Sequence, residues 1–311
     1  MVEASTPHTR TPLVVGLGEL IWDMLLEGRR LGGAPSNFAY ISRLLGNESV
    51  VASRVGRDAL GAEALERLAR AGVSTRYIQL DDTHPTGTVG VRVGKGGEPH
   101  FNVNENSAWD YLDWTPLWKE LAARADVICF GTLGQRRPHA RETITRLLQQ
   151  TRPGTLRVFD VNLRHSFFTP EMLARSLALS DVVKLNADEL SAAAAMVGLD
   201  ASGESETARA LLELFNLDLV AVTRGSGGSL LVTDEESNEH PGFAARVVDT
   251  IGCGDAFAAA LAHYLWRGAT LSLTNEIANR LGAWLATHPG ATPEADPSTI
   301  RRLLDGLDSD H

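Results

Sequence analysis

The stretch that decides the fold is DTIGCGD, residues 249–255, which runs directly into the apolar segment Ala256–Trp266. This pattern predicts a helix that begins at the glycines. Unpaired backbone N–H groups and the positive end of the helix dipole make such a terminus an anion site. Because glycines have no side chain, a phosphate can approach this backbone closely. Asp255 then lies in the first turn, where a carboxylate can take a proton from an attacking hydroxyl. The alternative is that Asp255 only caps the helix.

A second glycine turn has the same relation to a predicted helix near the start of the chain. It is GGAPSN, residues 32–37, with Pro35 near the first helical position, where proline is favoured. Asn37 then falls in the first turn of that helix, where its amide can bind sugar hydroxyls. The alternative is an ordinary glycine loop with a polar cap.

Short apolar runs alternate with segments of helical period over most of the chain. This alternation predicts an α/β fold in which a mostly parallel sheet is covered by helices on both faces. Ligands of such sheets bind beyond the carboxyl ends of the strands, so the site is expected along that edge. The predicted strands are Leu13–Leu17, Asp126–Phe130, Leu156–Val161, Asp181–Leu185 and Leu219–Thr223.

One region departs from this alternation. Thr86–Gly94 and Pro99–Val103 have the character of strands around the glycine turn 95–97, which is a hairpin signal, and Ile21–Leu31 also appears extended. These segments predict a small sheet that stands off the main one as a lid, formed by about residues 21–33 and 86–110. An antiparallel edge of the main sheet is the alternative that the sequence leaves open. We expect residues 1–311 to form a single domain.

Composition excludes several classes of protein. Of 311 residues, 43% are hydrophobic and 22% charged, which is ordinary for a globular protein. The formal net charge is −10, with no block of Lys and Arg, which argues against nucleic-acid binding and against attraction to an anionic membrane. Two cysteines and an N-terminus without an apolar signal core favour a reducing compartment, so we expect a cytoplasmic protein.

Two nucleotide-binding signatures are weak or missing. The chain has no GxxxxGK[ST] segment, so it has no P-loop. Gly16-Leu17-Gly18 follows a predicted strand, as a dinucleotide-binding turn does, but Ile21 stands where the third glycine belongs. A plain tight turn is the better interpretation, and a dehydrogenase is therefore a distant alternative.

The two glycine motifs together resemble the two signatures of the ribokinase-like (PfkB) carbohydrate kinase family. The pattern G-G-x-x-x-N-x-A stands near the start and D-T-x-G-x-G-D near residue 250, and the resemblance covers about Leu13 to Pro293. DVNLR at 160–164, NADE at 186–189 and TRGSGG at 223–228 agree with it. The resemblance implies a three-layer α/β/α fold with a small β-sheet lid, and an ATP-dependent sugar kinase.

The resemblance also implies roles for individual residues. Asp255 is the expected catalytic base, and Gly252, Cys253 and Gly254 the expected anion hole for the transferring phosphoryl group. The expected sugar-binding residues are Asp23, Gly32, Gly33, Asn37, Asn106 and Arg164. The family usually has Ala at position 253; a thiol at a helix N-terminus can have a lowered pKa and react readily, or it can be packed and inert.

The resemblance also implies a second set of residues, which bind the nucleotide and the ions. Asn186 and Glu189 are expected to order Mg²⁺ through water, and Asp249 and the carbonyl of Ile251, with residues 286–290, to form a potassium loop. Glu189 as a surface carboxylate and Asn279 as a helix-surface residue are the alternatives. The residues expected to border ATP are Asn186, Thr223, Arg224, Gly225, Gly227, Gly228 and Asn279.

The substrate is less well defined by the sequence. GTLGQR at 131–136 and DVNLR resemble the fructokinase branch, as does the segment Asn104–Asp110, so fructose is the expected sugar. Ribose, 2-keto-3-deoxygluconate or a nucleoside are alternatives, and a non-catalytic sugar-binding regulator is the alternative from another class. A lid of this kind exposes an apolar face when alone, so we expect a homodimer formed through it.

Overall fold

The computed structural model describes residues 10–25, 28–93, 99–164, 167–200 and 202–305, and only the backbone of residues 91–93 and 99–102. The strands are β1 Leu13–Leu17, β2 Ile21–Leu25, β3 Gly28–Gly32, β4 Glu48–Gly56, β5 Ile78–Asp81, β6 Gly87–Val93, β7 Pro99–Val103, β8 Val127–Gly131, β9 Leu156–Asp160, β10 Val182–Asn186, β11 Leu219–Thr223, β12 Ser229–Val232 and β13 Ser237–His240. The α-helices are α1 Ala34–Leu44, α2 Ala59–Arg70, α3 Pro116–Arg124, α4 Pro138–Gln149, α5 Pro170–Ala178, α6 Ala187–Met196, α7 Glu204–Phe215, α8 Cys253–Trp266, α9 Leu271–Ala286 and α10 Pro297–Leu304.

The main sheet has nine strands in the order β13-β12-β11-β10-β9-β8-β1-β4-β5. The seven strands from β11 to β5 pair in parallel, and β12 and β13 extend one edge antiparallel. The predicted α/β fold with a mostly parallel central sheet is therefore confirmed.

Burial on both faces explains why the predicted strands are so uniformly apolar. Every residue of β1 is buried, and successive side chains of the strand point to opposite faces. Val14 belongs to an apolar cluster that contains α1, α8 and α9, while Val15 belongs to a cluster on the other face that contains α3 to α7. The sheet is thus the middle of three layers.

The second sheet is small and separate from the first, with four strands in the order β3-β2-β6-β7. Its strands lie within the two segments for which the sequence predicts a lid, and it is not an antiparallel edge of the main sheet. The predicted turn at 95–97 lies outside the described residues. Ile21, Val89 and Trp109 pack with Leu133, which follows β8, so an apolar cluster connects this sheet to the body.

The connections of β1 define where a ligand crevice opens. The chain passes from β1 to β4 on one side and later returns through β8 on the other side. Such a change of direction separates the loops that follow the two neighbouring strands, which leaves a crevice at their carboxyl ends. In the part of the chain that the structure describes, no helix is long and apolar enough to cross a membrane.

Candidate active site

The end of β1 and the turn that follows it contain glycines because α1 packs closely against them. A Cβ atom on Gly16 would lie 2.0 Å from the carbonyl oxygen of Pro35, and one on Gly18 would lie 3.2 Å from the Pro35 ring. These glycines therefore accommodate the start of α1. This contact explains Gly16 and Gly18 without a dinucleotide, in agreement with the tight-turn interpretation.

Asp255 and Asn37, which are 218 positions apart, meet where the first turns of α8 and α1 converge. The Nδ2 group of Asn37 donates a hydrogen bond of 2.8 Å to Oδ2 of Asp255. Burial, together with the negative charge of Asp160, raises the pKa of Asp255 to about 7, against the Asn37 hydrogen bond and the charges of Lys184 and Arg164, which lower it. The carboxyl group is therefore close to half ionised at neutral pH, as a general base requires.

The predicted anion hole has glycines where side chains have no room. Gly252, the residue before α8, has a φ of 82°, in the left-handed region, and a Cβ atom there would lie 2.4 Å from Cβ of Ala291. A Cβ atom on Gly254 would lie 2.8 Å from Nζ of Lys184. The backbone at the start of α8 is consequently free of side chains on these sides.

The expected sugar-binding residues Asp23, Gly32 and Gly33 lie side by side at the base of the small sheet. A Cβ atom on Gly32 would lie 2.7 Å from Oδ2 of Asp23, and Gly33 has a φ of 104° and no room for a side chain against the Glu19 carbonyl. Burial raises the pKa of Asp23, whereas the charge of Arg30 opposes that shift.

Arg164 and Asn106 occupy different positions relative to this centre. The exposed Arg164 guanidinium acts on both Asp23 and Asp255, which places its charge near the two carboxyl groups. Asn106 has a φ of 57°, and its Oδ1 accepts hydrogen bonds from Tyr111 and Arg137. Its side chain is thus engaged at the rim, and the structure does not bring it into contact with Asp255.

Asn186 and Glu189 form a reciprocal cap at the start of α6. Oδ1 of Asn186 accepts the Glu189 N–H at 2.8 Å, and the Glu189 carboxylate accepts the N–H groups of Asn186 and Leu163 at 2.9 and 2.8 Å. Glu189 is only 8% exposed, so it is not the surface carboxylate of the alternative interpretation. Across the described ranges, no group of three or more His, Cys, Asp or Glu side chains could hold a metal ion.

The turn that is expected to border ATP, residues 223–228, lies at the end of β11. Arg224 is held by Glu204, at 2.7 Å from Nε, and by Glu239, so its guanidinium braces the turn. Gly228 has a φ of 82°, and a Cβ atom there would lie 1.9 Å from the His240 carbonyl oxygen. The turn from Thr223 through Gly225 and Gly227 therefore has a fixed backbone at the carboxyl edge.

Asn279 lies on α9 in a buried polar network. It is 8% exposed, and its amide nitrogen donates to Oγ of Ser229 at 2.7 Å and to the carbonyl of Asn275 at 2.8 Å. The helix-surface alternative is therefore wrong for this residue. Its amide N–H groups are used inside the protein.

Asp249 organises the loop that leads into α8. One carboxylate oxygen accepts the Ile251 N–H at 3.0 Å, and the other accepts the Gly290 N–H at 2.9 Å and the guanidinium of Arg30 at 3.1 Å. Arg30 belongs to β3, so this ion pair joins the small sheet to the loop of the anion hole. The side chain of Ile251 is 41% exposed.

Three charged residues at the site had no signal in the sequence. Glu19 is 4% exposed, and burial raises its pKa to about 7. Lys184 forms a buried pair with Asp160, and Arg30 binds Asp249. The partners of Lys184 and Arg30 lie 24 and 219 positions away along the chain, so only the assembled fold identifies the two pairs.

The chemistry of Cys253 follows from its surroundings. Burial and the negative charges of Asp249 and Asp255 raise the pKa of its thiol to about 11. A backbone hydrogen bond to the sulfur lowers the pKa, but by less than these effects raise it. The thiol is therefore protonated at neutral pH, which favours the inert alternative.

We predict that Cys253 alkylates slowly at neutral pH and that its rate keeps rising with pH beyond 9, since only the thiolate reacts. Iodoacetamide labelling followed by peptide mass spectrometry measures the rate. Cys129, which is fully buried with a raised pKa, is the internal control and should not react in the folded protein. Fast labelling of Cys253 at pH 7 that levels off below pH 9 would contradict this assignment.

Comparison with known proteins agrees with this geometry. A fructokinase of Escherichia coli is 30% identical over 299 residues, which cover 88% of this chain and 93% of that protein. An aminoimidazole riboside kinase of Salmonella typhimurium is 29% identical over 272 residues, covering 84% and 83%. The crystal structure of an uncharacterized sugar kinase from Pyrococcus horikoshii in complex with ATP has a TM-score of 0.77 and 27% identity, covering 93% of this chain and 97% of that one.

The family comparison extends over most of the chain. The family model described as pfkB family carbohydrate kinase matches residues 27–298, which include both glycine motifs and Asp255. Together with the ribokinase-like fold, this match identifies the chain as a phosphotransferase: it belongs to the PfkB family of carbohydrate kinases.

Proposed function

We propose that this protein transfers the γ-phosphate of ATP to a hydroxyl group of a sugar, and that the sugar is fructose. The observation that carries the proposal is the hydrogen bond between Asn37 and Asp255, which brings a sugar-binding side chain and a base to one point. That point lies at the partly exposed N-terminus of α8, where backbone N–H groups can receive a phosphoryl group.

Phosphoryl transfer mainly requires positioning and charge stabilisation, and each requirement has a residue here. Asp255 accepts the proton of the attacking hydroxyl, whose position Asn37 and Asp23 fix. The backbone from Gly252 to Gly254 stabilises the negative charge of the transferring group. The small sheet covers the sugar side and excludes water, which competes with the sugar as acceptor.

Magnesium is part of this proposal, held chiefly by phosphate oxygens and water. The Glu189 carboxylate accepts two backbone N–H groups and keeps lone pairs for further hydrogen bonds. Mg²⁺ usually keeps several waters and takes few protein ligands. Asn186 and Glu189 would orient its waters, and the ion would neutralise the charge of the phosphates.

The first prediction concerns Asp255→Asn, which keeps the size of the side chain but cannot accept the proton. We expect kcat to fall by about 10²–10⁴-fold, while the KM for ATP and sugar and the melting temperature change little. In the wild type, kcat/KM should decline as pH falls through about 7, because protonated Asp255 is not a base.

Asp296→Asn is the matched control for this variant. Asp296 caps α10 by accepting the Thr299 N–H at 3.0 Å and has no contact with the site. Its substitution should leave turnover and the melting temperature nearly unchanged, since Asn caps a helix about as well as Asp. A folded Asp255→Asn variant with near-normal turnover would show that Asp255 is only a cap.

The second prediction addresses the sugar, because relatives with similar identity are named for different substrates. ADP release with ATP and magnesium, measured over fructose, ribose, 2-keto-3-deoxygluconate and nucleosides, should be fastest with fructose. An inert fructose beside active ribose or nucleoside would reassign the substrate within the family. No turnover with any sugar, together with measurable sugar binding, would instead favour the non-catalytic regulator.

The third prediction concerns a monovalent cation at Asp249. This carboxylate accepts three donors from the chain and retains a free lone pair, and one of those donors, the Ile251 N–H, keeps residue 251 next to it. The proposed potassium ion would share Asp249 with Arg30. Potassium chloride should therefore raise turnover over sodium chloride at equal ionic strength. Arg30→Gln should increase that ratio, since it removes the competing guanidinium.

Arg29→Gln is the control for this effect, because Arg29 lies next to Arg30 and binds Glu63 of α2 instead of Asp249. It should keep the wild-type ratio of rates in the two salts. Equal rates in potassium and sodium for both the wild type and Arg30→Gln would refute a cation site at this loop.

A cytoplasmic location and a homodimer formed through the small sheet are further parts of the proposal. The mass of the particle in solution tests the dimer.

A further inference from the structure

A buried lysine lies behind the anion hole. Nζ of Lys184, the middle residue of β10, is 3.1 Å from each carboxylate oxygen of Asp160, at the end of β9. The lysine side chain is 8% exposed and that of the aspartate 5%. Nothing in the proposed chemistry so far uses this pair, and stability alone is a weak reason for it, since apolar residues often replace buried ion pairs without loss.

The position of the ammonium group relates it to the reacting centre. A Cβ atom on Gly254 would lie only 2.8 Å from Nζ, so the lysine occupies the space that a side chain would take at the start of α8. Gly254 is thus glycine for two reasons, the approach of a phosphate on one side and the ammonium group on the other. The charge therefore lies next to the backbone of Gly254, one of the residues of the predicted anion hole.

We propose that Lys184 is a positioning residue whose buried positive charge keeps Asp255 ionised and adds to the field of the anion hole. This inference deepens the proposed function and rests on it.

The charges around Asp255 explain why such a group is needed. Asp160 and Glu19 are both buried acidic residues, and a negative charge on either of them favours the protonated form of Asp255. The cations that oppose them are Lys184 and Arg164. Arg164 is exposed, so water and salt screen it, whereas the field of the buried Lys184 is screened much less.

Lys184 itself remains charged in this environment. Burial lowers its pKa, but the carboxylates of Asp160, Asp255 and Glu189 raise it, and the net shift is upward. Asn37, the uncharged neighbour of Asp255 on α1, completes the set of groups that face the base. The balance of charge at the base therefore includes a cation that does not titrate in the working range.

The test compares two variants that both lack the Asp160 charge. Asp160→Asn removes a negative neighbour of Asp255 and leaves Lys184, whereas Asp160→Asn with Lys184→Met removes both charges and leaves no unpaired ion. We expect kcat to begin to fall at a higher pH in the double variant than in the single variant, with a shift of the acid limb on the order of one pH unit. The maximal kcat of the double variant should also be lower than that of the single variant, on the order of tenfold.

The matched control is the ion pair between Arg157 and Asp181, which joins β9 to the residue before β10 near the opposite ends of the strands. Arg157→Met with Asp181→Asn should lower the melting temperature and leave the pH profile unchanged, as a structural pair does. If the methionine variant does not fold, Asp160→Asn with Lys184→Gln removes the same charges and keeps a polar contact.

The outcomes separate this inference from the function on which it rests. If the single and double variants share one acid limb and one plateau, the role of Lys184 is purely structural and the inference is wrong. If the wild type phosphorylates none of the sugars, the proposed function fails instead. An acid limb at higher pH in the double variant than in the single variant, with the pH profile of the Arg157–Asp181 control unchanged, supports the inference.

Discussion

The burial of helix α8 is the constraint on which the rest of the site depends. Ten of its 14 residues are buried, and it packs between α1 and α9 against one face of the sheet. A helix that is apolar on nearly all sides is stable only in such a buried position. The connection of α8 places its N-terminus beside the first turn of α1, where Asp255 accepts the hydrogen bond of Asn37. That position carries the backbone N–H groups and Asp255 into the crevice.

The same burial creates an electrostatic problem that the neighbouring residues solve. Asp255, Asp160 and Glu19 lie close enough to influence one another, and desolvation raises the pKa of each. Desolvation and like charge both favour the protonated carboxyl group, which opposes the proposed role of Asp255 as a base. The Asn37 hydrogen bond and the Lys184 ammonium lower the pKa of Asp255 from two different elements. The candidate site is therefore a network of charges, in which the surroundings of Asp255 matter as much as the residue itself.

The sequence predicted the parts of the fold that local pattern determines. β1 and β11 coincide with their predicted strands because a strand buried on both faces is a continuous apolar run. β4 was not predicted, since its Ser and Arg residues interrupt such a run, and neither was the edge pair β12 and β13. The motifs located the base and the glycines, but the pairing of Lys184 with Asp160 depends on strand order, which no local pattern contains.

Arg30 shows how the two halves of the site are coupled. It lies opposite Asp23 in the pairing of β2 with β3, and it binds Asp249 of the loop before α8. Its charge therefore acts on the carboxyl group of Asp23 and on the carboxylate that orients Ile251 and Gly290. The guanidinium of Arg30 thus connects the small sheet to the loop that leads into α8, and any change in the position of β3 relative to that loop must break or rebuild this ion pair. The two halves of the candidate site are linked through one side chain, which no local pattern in the sequence contains.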